Sequence, residues 1–320
     1  MKPHKVLVTG ANGLIGRAVV DRLSQDGFVV NAAVRRAVEW PSPVHRVEVG
    51  DLSQPWDWSP ALKGIDSVVH CAARVHLKKG AQGTSLDDYR RVNVIATLDL
   101  ARQAAASGAQ RLVFISSIGV NGGHTLDRPF RADDNVAPHS PYALSKYEAE
   151  VGLKEISAAT GLEVVIIRPP LVIGPGAPGN FGKLLQIVYR GIPLPLGAIR
   201  NRRSVIALDN LVDLVKTCLH HPKAANEIFL VRDAEELSTP ALFKMTAEAL
   251  GRPARLLSMP PFLLRGVGYL TGNAQLVQQL CESLRVDDRK TRELLGWSPV
   301  VTTRAALQAA ADQFVANLPA

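Results

Sequence analysis

Aromatic residues are scarce in this chain. Phe, Trp and Tyr together make up 5% of its 320 residues, so a core must be built mainly from Val, Leu, Ile and Ala. Cysteine is scarcer still. Cys71, Cys218 and Cys281 are odd in number and widely spaced, which gives neither a disulfide framework nor a zinc-ligand pattern and fits a reducing compartment. No metal site is expected. No apolar run approaches the ~20 residues of a membrane span. The first apolar run begins by Lys5, leaving no room for a secretory leader, so a cytoplasmic location is expected. The net charge is +8, yet long Lys/Arg runs are missing and no basic stretch is interleaved with aromatics. A nucleic-acid partner is therefore not expected, because its footprint is a clustered basic stripe. The basic pairs Arg35–Arg36, Lys78–Lys79, Arg90–Arg91 and Arg202–Arg203 read mostly as solvated surface.

What is present is a rhythm. Short apolar runs at Val6–Thr9, Phe28–Val34, Arg46–Val49, Ser67–Cys71, Leu112–Ser116 and Val164–Ile167 read as strands. Helical segments at Leu14–Gln25, Val92–Ser107 and Pro141–Thr160 fall between them, the last two stopped by Gly108 and Gly161. Continuous apolar runs are the mark of parallel strands buried on both faces. The expected fold is α/β, a Rossmann-type doubly wound parallel sheet. After Gly174 the rhythm breaks: Gly174–Gly182 reads as a Gly/Pro-rich loop, followed by strands at Val205–Leu208 and Ile228–Val231 among helices. The expectation is a dinucleotide-binding domain over 1–173 and a smaller α/β substrate lobe over 174–320, interleaved with the first. Pro261–Leu270 reads as a packed apolar helix; a membrane-surface contact is the second reading of it.

Thr9–Gly16 reads T-G-A-N-G-L-I-G, with Gly10, Gly13 and Gly16 between the first strand and the first helix. A helix N-terminus offers unpaired N–H groups and partial positive charge, and glycine lets backbone approach a pyrophosphate. In this βαβ setting three glycines are a strong dinucleotide signal. The second strand ends Ala33-Val34-Arg35-Arg36, with no acid to hold the ribose 2′-hydroxyl of NAD. Arg35 and Arg36 suit a 2′-phosphate, so NADP is favoured over NAD. Asp51, after the third strand, is a candidate for the adenine end, and the small residues Ala72 and Ala73, with Arg74, leave space for the cofactor after the fourth.

Tyr142 and Lys146 stand four apart on one helix, hence on one face. A tyrosine is a poor base at neutral pH; a neighbouring ammonium favours its phenolate. Tuned in this way, Tyr142 can trade the proton that accompanies hydride transfer at a carbinol or carbonyl. Ser117 ends the fifth strand, at the carboxyl edge where ligands of such sheets bind, and can hydrogen-bond the reacting oxygen.

These motifs, with G-D-L at Gly50–Leu52, V-N-V-I-A-T at Val92–Thr97, F-I-S-S at Phe114–Ser117, Y-A-L-S-K at Tyr142–Lys146, I-R-P-P-L-V-I-G-P-G at Ile167–Gly176 and N-R-R-S-V-I-A-L-D-N-L at Asn201–Leu211, resemble the extended short-chain dehydrogenases/reductases of the NAD-dependent epimerase/dehydratase family over nearly the whole chain. Closest in kind are the UDP-hexose 4-epimerases and 4-keto-sugar reductases of polysaccharide pathways. The resemblance implies that Leu14 and Ile15 sit beneath the pyrophosphate with the glycines, that Asp51 and Leu52 border adenine, that Asn93 and Pro170 lie by the cofactor, and that Ser117, Tyr142 and Lys146 are catalytic. It implies further that Asn180 and Arg203 hold a nucleotide-sugar diphosphate, and that two long helices pair two copies into a homodimer. The chain departs from the pattern at Ala96, usually glycine, and at Asn121, where many relatives carry tyrosine. An Asp-Glu pair after Ser117 is missing, which argues against a dehydratase.

The expected function is oxidoreduction at C4 of a nucleoside-diphosphate sugar, by an epimerase or a 4-keto-reductase. Two alternatives stand beside it. An NADPH-dependent carbonyl reductase for a non-nucleotide substrate would not need Arg203. A non-catalytic, NADP-sensing regulator would not need Ser117, Tyr142 and Lys146.

Overall fold

The computed structural model of the chain describes residues 3–35, 40, 44–75 and 85–318. β1 (Lys5–Thr9), α1 (Leu14–Gln25), β2 (Val29–Val34), β3 (His45–Glu48), α2 (Ser59–Leu62) and β4 (Ser67–His70) open the chain. α3 (Leu86–Arg90) passes through one π-helical turn, Arg91–Ile95, into α4 (Ala96–Ala106). Next come β5 (Arg111–Ile115), a 3₁₀ turn at Ile118–Val120, α5 (Pro141–Thr160), β6 (Glu163–Arg168) and β7 (Leu171–Ile173). The remainder holds α6 (Gly179–Tyr189), β8 (Arg203–Ala207), α7 (Leu208–His220), β9 (Ile228–Leu230), β10 (Glu236–Leu237), α8 (Thr239–Ala249), α9 (Pro261–Leu270), α10 (Ala274–Cys281), α11 (Arg289–Leu295) and α12 (Thr303–Ala316).

Seven strands form one sheet in the order β3-β2-β1-β4-β5-β6-β9, every pair parallel. Chain order reverses between β1 and β4, so the crevice for a ligand opens at their carboxyl ends. Successive residues of one strand point to opposite faces, and both faces are covered. Val6, Val8, Val113 and Val165 enter one core with α1 and α7; Leu7, Val68, Leu112 and Val164 enter the other with α4 and α5. That double burial is why the strands read as unbroken apolar runs. β9 comes from the C-terminal part of the chain. Beside this sheet a three-stranded one, β10-β8-β7, packs with α6, α8 and α12 around a third core.

Local signals set the ends of α5. The Ser140 hydroxyl accepts from the Ala143 N–H at 3.2 Å, Pro141 occupies the first turn, and Gly161 ends the helix at φ +77°. Three expectations need correction. The helix expected from Val92 begins at Leu86, behind a capping box in which Ser85 and Asp88 bond each other's backbone N–H. The last residues of the expected Gly174–Gly182 loop are already helical, because α6 begins at Gly179 and its glycines sit in a first turn followed by an apolar run. The helix at Pro261–Leu270 forms, but it buries only Leu264 and Gly268 and is not a packed core helix. Among the described residues, no helix is long and apolar enough to cross a membrane.

Candidate active site

The glycine turn is shaped by close contacts. Gly10 has φ +65°, and a β-carbon there would lie 2.7 Å from the Ala72 nitrogen. A β-carbon on Gly16 would run into the Gly10 carbonyl oxygen. Thus β1 and α1 can meet at this angle only without side chains at those positions. The turn forms one wall of a cleft of about 910 Å³ at the carboxyl ends of β1, β2 and β4. Gly10, Gly13, Arg35, Asp51, Leu52, Ala72, Ala73 and Arg74 all line it. Leu14 and Ile15, the first residues of α1, pack on the core and so hold the helix start. Arg36 lies outside the described residues. Thr9, Asn12, Val34, Val49 and Trp58 also line the cleft and were not singled out from the sequence. Most stand at or just past strand ends, a positional signal once the strands are placed.

Charge in the cleft is positive. Asp51 is held below the usual carboxylate range, first by the N–H of Ser53 at 3.0 Å and further by Arg35 and Arg74. Arg74 also carries a buried Nε with no hydrogen-bond partner among the described residues. An orphaned cationic donor beside a glycine turn that a β-carbon would fill fits a diphosphate-bearing ligand. Asn93 is fully buried in the π-helical turn. Its amide donates to the Arg74 carbonyl and to the Ser145 hydroxyl, both at 3.0 Å, and its oxygen accepts from the Arg74 N–H at 2.7 Å. It ties the cleft wall to α5, which is a positioning role.

On α5, Lys146 is 1% exposed. Its ammonium donates to the Ile115 carbonyl at 2.8 Å and lies 4.3 Å from the centre of the Phe114 ring. This bond pins the first turns of α5 to the end of β5, two residues before Ser117. The Ser117 hydroxyl accepts from the Gly119 N–H at 3.1 Å and caps the short turn that follows. Tyr142, half-buried, meets Tyr89 edge to face with ring centres 6.2 Å apart. Burial, reinforced by Tyr89, pushes the Tyr142 phenol up to about 12. Burial also brings Lys146 down to about 8, against the opposing pull of Cys71 and Glu150. The acidified phenol expected from the Tyr–Lys spacing is therefore not a property of the protein groups by themselves. Desolvation and Tyr89 both disfavour the phenolate, and the ammonium faces a carbonyl and a ring.

One turn beyond Lys146, Glu150 is buried and paired with Arg168 of β6 through two hydrogen bonds. The Ser116 hydroxyl donates to the same carboxylate, and Arg168 donates to the Asn121 carbonyl oxygen at 3.0 Å. Asn121 donates in turn to the Arg131 carbonyl at 2.9 Å. The Asn121 side-chain amide thus joins a buried charge network to the loop before α5. Sequence reading missed the network, although an arginine closing an apolar strand run was a signal for it.

The substrate candidates are less gathered. Asn180 is exposed in the first turn of α6. Pro170 is buried between β6 and β7. Arg203 donates to the carbonyls of Gln279 and Glu282 at the end of α10, and burial lowers its pKa. Next to Ser117 a second cavity, of about 410 Å³, is lined by Asn121, Gly122, His139, Gln275, Gln278 and Gln279, among others. His139 joins this cavity to the turn after Ser117 through a 3.1 Å bond to the Gly119 carbonyl.

Three comparisons bear on the chemistry. A model of the NAD dependent epimerase/dehydratase family matches residues 6–231. A UDP-glucose 4-epimerase of Vibrio cholerae is 42% identical over 316 residues, covering 98% of this chain and 96% of its own. An N-acetyl-alpha-D-glucosaminyl-diphospho-ditrans,octacis-undecaprenol 4-epimerase of Escherichia coli O157:H7 is 28% identical over 89% of this chain and 88% of its own. Among solved structures, MoeE5 in complex with UDP-glucose and NAD superposes with a TM-score of 0.81 at 25% identity, covering 98% of this chain and all of that one.

Proposed function

Because the chain belongs to the NAD-dependent epimerase/dehydratase family, and so to the NAD-dependent enzymes of the extended short-chain dehydrogenase/reductase type, we propose that it interconverts UDP-hexoses at C4, as a step in making polysaccharide precursors. The observation that carries this reading is the bond from Lys146 to the Ile115 carbonyl, which sets the Tyr142 turn of α5 against the strand end that bears Ser117.

In this reading Ser117 hydrogen-bonds the sugar O4, and Tyr142 takes the 4-hydroxyl proton as the C4–H bond breaks. When bound, the dinucleotide would supply a reversible hydride acceptor for C4. Tyr142 then returns the proton to O4. Lys146 stands one turn along α5 from Tyr142, and a positive charge near the phenol favours proton loss. Gly10, Gly13 and Arg74 would hold the diphosphate. Arg35 lines the adenosine end of the cleft with no acid beside it on β2, and this supports NADP as the preferred dinucleotide. Arg203 and Asn180 would hold the diphosphate of the nucleotide sugar. Ile95, 62% exposed at the end of the π-helical turn that leads into α4, and Val151, 39% exposed on α5, leave apolar surface along these packed helices and support a homodimer formed there.

The same Arg35 favours a second reading, a 4-keto-reductase that consumes NADPH once per turnover. Incubation of the purified protein with UDP-glucose and with UDP-N-acetylglucosamine, no cofactor added, separates the two. Appearance of the 4-epimer is the expected result. Stoichiometric NADPH loss with a UDP-4-keto sugar, and no epimer from either UDP-hexose, would replace the epimerase by the reductase. Titration of the wild type and Arg35→Ala with NAD and NADP checks the cofactor; a clear preference of the wild type for NAD would remove Arg35 from the site.

A further inference from the structure

Exposed apolar surface is concentrated at one place. Of the fourteen large apolar side chains exposed among the described residues, seven lie between Leu257 and Leu276, so the exposure forms a patch and is not scattered. Phe262 is 70% exposed, Tyr269 81% and Leu270 85%. All three stand on α9, which turns only Leu264 and Gly268 inward. Gly268 lets α9 lie tightly on α10, since a β-carbon there would stand 2.7 Å from Val277 Cγ2. The hairpin is therefore anchored along one edge while its aromatic and aliphatic side chains face outward. A patch of this kind on an otherwise polar surface marks a contact site.

Charge identifies the partner. From Ala249 to Cys281 the chain has no Asp or Glu, while Arg252, Arg255 and Arg265 fall within it, all exposed. Arg265 is on α9 itself, and a two-fold contact through this hairpin would set its acid-free, arginine-bearing surface against a second copy of the same charge. An anionic lipid surface offers the complement: phosphates for the guanidinium groups and an acyl boundary for Phe, Tyr and Leu. We infer that the α9–α10 hairpin docks the protein on anionic phospholipid membranes, with Phe262, Tyr269 and Leu270 entering the interface and Arg265, on α9 itself, at headgroup level. α10 also lends Gln275, Gln278 and Gln279 to the cavity beside Ser117. Docking through this hairpin holds that cavity at the lipid surface. The inference does not depend on the reaction proposed above.

Co-sedimentation of the full chain with phosphatidylglycerol/phosphatidylethanolamine vesicles, and with phosphatidylcholine vesicles, tests it. Binding to the anionic vesicles is expected, at least about tenfold weaker to the zwitterionic ones and weakened by added salt. The triple variant Phe262→Ser, Tyr269→Ser, Leu270→Ser should lose vesicle binding by about tenfold or more while keeping the wild-type melting temperature. Arg265→Gln should reduce the salt-sensitive part. A wild type that stays in the supernatant with anionic vesicles would overturn the inference. So would a triple variant that binds vesicles like the wild type, or one whose only change is dissociation of a dimer, which would assign the patch to a second copy.

Discussion

At Gly10 two constraints coincide: a positive φ of +65° and a backbone neighbour 2.7 Å from where a β-carbon would lie. Gly10→Ala is expected to cost roughly 1–3 kcal/mol of stability and to weaken dinucleotide binding by about tenfold or more. Thermal melting and calorimetric titration check the two effects, and unchanged binding would remove the turn from the site. At Lys146 the consequence is one of pH. Burial takes its pKa from 10.5 to about 8, so between those values the unfolded chain holds more protons than the folded one. Its contribution to stability is fully present above 10.5 and is lost as pH falls towards 8, by roughly 3 kcal/mol. The difference in unfolding free energy between wild type and Lys146→Met should therefore change across this window; a constant difference would mean the ammonium is not desolvated. The glycines, Ser117, Tyr142 and Lys146 were all readable as residue types at fixed spacings. The phenol's acidity was not, because spacing records a nearby charge and says nothing of the desolvation that opposes it.

Elements show a similar division. α5 was readable to its last residue because its limits are written in Ser140, Pro141 and Gly161. The start of α3 was missed although Ser85 and Asp88 spell a capping box, since the apolar periodicity that draws attention begins only at Val92. What holds α5 against the sheet was not readable at all. The Glu150–Arg168 pair joins a helix to a strand 18 residues away, and no local pattern requires it. Removing one partner leaves the other charge buried. Arg168→Met should accordingly destabilise the protein by about 3–5 kcal/mol in urea unfolding. A loss below about 1 kcal/mol would show that the network does not anchor the catalytic helix.

For the molecule as a whole, the reversal of strand order between β1 and β4 decides where the chemistry sits. It opens the crevice that the glycine turn, Arg35, Asp51 and Arg74 line, and it places the end of β5, with Ser117, one strand away. The continuous apolar runs gave away this sheet. The C-terminal part resisted reading because its short strands split between two sheets, β9 completing the large one and β8 and β10 joining β7 in the small one. The pairing of copies proposed above belongs to this same scale. Ile95→Glu with Val151→Glu should convert a dimer to a monomer in sedimentation velocity, and an unchanged dimer would place the interface elsewhere.

The measurement that bears most directly on the reaction follows the hydrogen at C4. UDP-glucose carrying deuterium at C4, turned over in ordinary water, should give the 4-epimer with the deuterium still on C4, because the hydride leaves and returns within one closed site. Tyr142→Phe should slow that conversion by about 10²–10⁴-fold. An epimer that has exchanged its deuterium for solvent hydrogen, or a Tyr142→Phe protein as fast as the wild type, would contradict hydride transfer governed by this tyrosine.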